Sequence, residues 1–177
     1  MTKSDAGYGI VTKVLHWTMA VLMIGLLWLG WYMAGLSYYD PWFNTSLTWH
    51  KALGIVALIA GAVMLCWATG THAPAPLASM AAWERIGTRA VHGILFAMMV
   101  AIPVTGYIVS TSAGAGVGVF GWFEIPALLP ANEGLRDVAI TLHFYLAYIT
   151  AALVLLHAGA ALKHQFVDRD GVLRRML

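Results

Sequence analysis

The chain has 177 residues, enough for one domain; 60% are hydrophobic and only 10% charged, where an ordinary soluble domain is about half apolar and a quarter charged. That balance excludes a typical soluble enzyme, and a net charge of +2 without a basic tract excludes a nucleic-acid partner. The single cysteine, Cys66, excludes a disulfide framework within the chain.

A helix rising about 1.5 Å per residue needs about 20 apolar residues to cross roughly 30 Å of hydrocarbon. Four segments qualify. The first, about 14–34, is longer than a signal-peptide core of roughly 7–15 residues and lacks a clean small-residue cleavage site, so it is read as a retained span. The connection 35–49 carries Asp40-Pro41. The second span, about 50–68, ends before Thr69-Gly70. The connection 69–89 holds Pro74, Pro76 and three charges. The third span, about 90–110, contains Pro103, which should kink it. The connection 111–137 is Gly-rich at first; its aromatic and apolar part, 120–129, is expected along the membrane interface. The fourth span is about 138–162. The eight Trp and seven Tyr suit two membrane interfaces. No internal repeat is evident, and residues 1–177 are expected to form one all-α, four-helix transmembrane domain.

Four spans put both termini and the second connection on one side. That side holds Lys3, Lys13, Arg85, Arg89, Lys163, Arg169, Arg174 and Arg175; the other holds only Lys51 and Arg136. Positive residues stay inside, so both termini are expected in the cytoplasm. The outer side carries Asp40, Glu124, Glu133 and Asp137 against those two bases, a sum of −2.

Six of the seven histidines lie in or at the ends of the spans: His16, His50, His92, His143, His157 and His164. Polar side chains at membrane depth are costly and usually have a partner or a task, and neutral imidazole is the commonest metal ligand. His143 and His157 are 14 residues apart, which is ~21 Å of rise and nearly the same direction from the helix axis. One helix thus offers a ligand near each membrane surface. Matched by depth, His50 pairs with His143 at the outer level and His16 with His157 at the inner level. Two axial histidines close an iron to other ligands, which points to two haem groups in electron transfer rather than oxygen binding. With no C-x-x-C-H stretch, the haem would be non-covalent.

A single interfacial histidine is more often a hydrogen-bonded or snorkelling residue than a ligand; four at two matched depths argue otherwise. His92 is a rival ligand at the inner level. His164, seven residues after His157 on the same stripe, is expected near the headgroups, where it would bond a quinone carbonyl or a haem propionate, or simply be solvated. His72 is read as an idle loop residue. Gly54, Gly61 and the Ala158-Gly159-Ala160-Ala161 run leave room for a flat macrocycle or serve helix packing. Arg85, Arg89 and Lys163 would neutralise propionates of the inner haem, or serve only as inner-side positive charges.

Several stretches resemble the bacterial cytochrome b561 family, related to the cytochrome b subunit of nickel-iron hydrogenases. They are Lys13-Val14-Leu15-His16-Trp17, Trp49-His50-Lys51-Ala52-Leu53-Gly54, Val91-His92-Gly93 with Ile102-Pro103-Val104-Thr105-Gly106, and Leu156-His157-Ala158 through Lys163-His164. The resemblance implies two haem b groups with axial ligands at His16, His50, His143 and His157, in a bacterial inner-membrane protein. One branch of the family is similar to superoxide:ubiquinone oxidoreductases, which would place His164 near the quinone. The expected function is electron transfer from an external one-electron donor, superoxide among the candidates, to membrane quinone. The rival is an electron-carrier subunit that docks on a dehydrogenase or hydrogenase. A non-haem structural or transport protein would leave the histidines unexplained. The negative sum of the outer loops speaks against an anionic donor unless Lys51 and Arg136 form a local patch.

Overall fold

The computed structural model describes residues 7–177; Lys3 and Asp5, counted in the charge balance above, lie outside the described residues. Four helices carry the chain back and forth: α1 (Ile10–Ala34), α2 (Phe43–Gly70), α3 (Ala82–Thr111) and α4 (Glu133–Lys163). Each is long and apolar enough to cross a membrane. The protein is an all-α four-helix membrane bundle.

The helices run past the apolar stretches that announced them. α2 begins at Phe43 rather than near residue 50, and α3 at Ala82 rather than near residue 90. A helix of 28 or 30 residues is ~42–45 Å long, against ~30 Å of hydrocarbon. The extra turns exceed what the hydrocarbon requires, so Glu84, Arg85 and Arg89 are acceptable there and hydropathy falls silent. Side chains mark these ends. Glu84 Oε2 accepts the Ala81 N–H at 2.9 Å, and Asn132 Oδ1 accepts the Leu135 N–H at 2.9 Å. Asn132→Ala should lower stability by about 1 kcal/mol by removing the cap of α4, read as a lower thermal midpoint in detergent.

α2 packs against α1 and α3, and α3 against α4, while α1 and α4 touch only sparingly. The centre is rich in methionine: Met19, Met23, Met99 and Ile102 are buried together, with Ala60, Met64, Phe96, Met98 and Leu146 around them. Flexible thioethers fill irregular gaps between helices. Pro103 has no N–H, so the Met99 carbonyl loses its helical donor. Gly61 of α2 faces that carbonyl; a Cβ there would lie 3.4 Å from it. A small residue lets the two backbones approach at that notch.

The segment after α3 forms a hairpin. β1 (Val117–Val119) pairs antiparallel with β2 (Phe123–Ile125), with Val119 opposite Phe123. Positive φ at both Phe120 and Gly121 matches the turn type whose twist suits a hairpin. Val117 and Val119 bury against Ala52 and Ile55 of α2, and the Tyr107 hydroxyl donates to the Pro126 carbonyl at 2.7 Å. Three-residue strands are too short to show their alternation in the sequence. At the other end α4 continues into a wider turn, His164–Asp168, and a short 3-10 turn, Leu173–Arg175.

Candidate functional site

Arg136, His143, Thr150, His157 and His164 recur every seventh residue along α4, so they form one stripe. Arg136 is exposed at the outer end, His143 and His157 are half-buried, and Thr150 and His164 are buried.

At the outer level α2 and α4 bring His50 and His143 together, with ring centroids 6.0 Å apart and planes at 83°. Glycines on the other two helices flank the pair. A Cβ on Gly30 would lie 3.1 Å from His50 Cε1, and one on Gly106 would lie 3.0 Å from His143 Cε1. His143 Nδ1 lies 3.1 Å from the Ile102 carbonyl oxygen and 3.1 Å from Thr105 Oγ1. His50 Nδ1 is buried without a hydrogen-bond partner. Lys51 directly follows His50 on α2, and Arg136 stands seven residues before His143 on the α4 stripe.

At the inner level α1 and α4 bring His16 and His157 to 6.1 Å between centroids. His92 of α3 comes closer still to His157, at 5.1 Å. Beneath them the chain end folds back on α1. Trp17 Nε1 donates to the Met176 carbonyl and Lys13 Nζ to the Leu177 carbonyl, both at 3.0 Å, and Tyr8 N–H donates to the Arg175 carbonyl at 2.9 Å.

The structure narrows two readings the sequence left open. His164 is not solvated among headgroups: it is only 6% exposed, and its Nδ1 lies 2.7 Å from Asp170 Oδ2 and 3.1 Å from Asp168 Oδ2. Lys163 is already paired, its ammonium donating to Glu84 at 2.8 Å and Asp168 at 2.7 Å. Asp168 follows His164 at the i,i+4 spacing of a helix face, whereas Asp170 is brought back to the helix's end by the turn after α4. Arg85, Arg89 and His72 are exposed.

Sequence reasoning also passed over Thr105 and Thr150. Thr150 Oγ1 is buried and unpartnered, and its signal was present: it stands midway between two histidines spaced by two heptads. Thr105 lay within a quoted stretch, but only the approach of α4 gives it a neighbour.

A model of the family described as prokaryotic cytochrome b561 matches residues 7–177. The chain is similar to cytochrome b561 homolog 2 of Escherichia coli (strain K12), 37% identical over 99% of this chain and 94% of that one. It is also similar to the probable superoxide oxidase CybB of Yersinia pestis, 27% identical over 96% and 95% of the two chains. Cytochrome b561 homolog 1 of Escherichia coli (strain K12) is 25% identical over 92% of each. The matches span essentially the whole bundle, and the chain belongs to the prokaryotic cytochrome b561 family of haem-binding membrane electron-transfer proteins.

Proposed function

We propose that this protein holds two haem b groups, one between His50 and His143 and one between His16 and His157, and moves electrons from an external one-electron donor to membrane quinone. The observation that carries the reading is the two histidine pairs, at 6.0 and 6.1 Å. Two metal–imidazole bonds of about 2 Å, plus the short step from each nitrogen to its ring centre, add to about 6 Å. The 5.1 Å between His92 and His157 is short for that arrangement, which favours His16. The orphaned His50 Nδ1 and the glycines beside His50 and His143 also suit a pair opened around a flat ligand.

Haem supplies the one-electron redox chemistry when bound. The chain's residues supply the rest. His50 with His143, and His16 with His157, would each hold one haem iron between two imidazole nitrogens. Helices α1–α4 keep water from them. Lys51 and Arg136 gather positive charge at the outer entrance, where an anionic donor such as superoxide would be drawn in. One relative carries the name of a probable superoxide oxidase, which supports that donor. His164, with Nδ1 committed to two carboxylates, is assigned to the quinone side rather than to iron. Both termini are assigned to the cytoplasm on the distribution of basic residues.

Purified protein supplied with a superoxide generator and a soluble ubiquinone analogue should reduce the quinone through many turnovers. Reduction of the protein without turnover would move the assignment to a carrier subunit docking on a dehydrogenase or hydrogenase. The hairpin that leaves Trp122 82% exposed would then be the docking surface.

A further inference from the structure

We infer that Thr105, with the Ile102 carbonyl it is bonded to, is the positioning residue that sets the tautomer and donor strength of His143. The inference rests on the reading of His143 as an axial ligand and goes beyond it.

The atoms allow one arrangement of hydrogens. The Ile102 carbonyl oxygen can only accept. Thr105 Oγ1 is 2.8 Å from it, so the hydroxyl hydrogen points there. His143 Nδ1 is 3.1 Å from the same carbonyl, so Nδ1 carries the ring hydrogen. The Thr105 lone pairs then face Nδ1–H at 3.1 Å and share it. The imidazole is left with its free lone pair on Nε2, the nitrogen a metal would take. Gly106 completes the site: a Cβ there would come within 3.0 Å of His143 Cε1, so the ring reaches this part of α3 only because residue 106 has no side chain.

The other outer histidine has no such support, since His50 Nδ1 is buried with no partner. The outer pair is therefore asymmetric. One ring is fixed in its tautomer and made a stronger donor; the other has no acceptor behind its Nδ1. Acceptors behind a metal-bound imidazole raise its basicity and orient it, and their loss typically costs about 10–100-fold in metal affinity or activity. A stronger nitrogen donor favours the more highly charged oxidised iron. Removing an acceptor should therefore ease reduction of that iron.

The test is redox titration of Thr105→Val and Thr105→Ser in the full chain with haem bound. The outer haem's signal is identified by its loss in His50→Ala. In T105V, about a tenfold shift of the outer reduction equilibrium toward the reduced form is expected, which is ~59 mV upward for one electron. The inner potential should not move, and T105S should restore the original value. A variant whose fault is packing alone would lose haem or shift both potentials, and Ser would not rescue it. If T105V does not assemble, T105A carries the same expectation. An unchanged outer potential in T105V or T105A, with haem content intact, overturns the inference while leaving His143 as a ligand. Retention of both haems in His143→Ala would instead overturn the ligand reading itself.

Discussion

On the two-haem proposal, His143→Ala should bind about one haem per chain where the parent should bind about two, because each pair would hold its iron at a separate level of the bundle. The two levels stand on α4 at a rise of ~21 Å, and no described hydrogen bond joins them. Removing His143 leaves His50 facing no second imidazole, while His16 and His157 keep their 6.1 Å separation. His157→Ala should give the complementary loss, and the surviving reduced spectra of the two variants should differ. A pyridine haemochrome assay with a protein ratio reads both. The inner level adds a sharper comparison. His16→Ala should lose the inner haem and His92→Ala should keep it; the reverse result would transfer the ligand to His92. Full haem content in both His143→Ala and His157→Ala would falsify the two-level assignment.

The second large effect concerns the outer surface. The outer loops sum to −2, yet their only bases, Lys51 and Arg136, stand on the helices that carry His50 and His143, one directly after His50 and the other two turns before His143. A local positive potential can raise the encounter rate of an anion by about 10–10³, with steep dependence on salt. Lys51→Glu combined with Arg136→Glu should therefore slow superoxide-driven quinone reduction at low ionic strength by about tenfold or more. Added salt should narrow the gap between variant and parent. Haem content should be unchanged, and reduction by a neutral chemical donor should proceed at the parental rate. Equal rates for parent and variant with superoxide at low salt would remove the anionic donor from the proposal and leave the two-haem bundle standing.

Much of this architecture was legible in the residues. Lipid contact demands apolar side chains over a fixed thickness, so the four spans stand out by length alone. The periodicity of a helix puts His143 and His157 on one stripe whatever surrounds them, and depth in the membrane matched each to a partner on another helix. Thr150 was equally readable by its spacing, though hydropathy gives a buried threonine no special mark.

What the residues left open were the contacts made sideways. The first turns of α2 and α3 were missed because hydropathy registers only the part of a helix that lipid covers. The β1–β2 hairpin was missed because three residues are too few to establish an alternation. For His164 the residues left three readings open, a quinone carbonyl, a haem propionate or plain solvation; it is buried because the chain turns back after α4 and sets Asp170 against it, a contact that depends on where the turn ends. Likewise Thr105 became a partner of His143 only when α4 packed against α3, with Gly106 leaving room for the ring. Membrane thickness and helical period are properties of a single segment and so are written in its sequence, whereas hydrogen bonds between helices depend on rotation and approach, which packing alone decides.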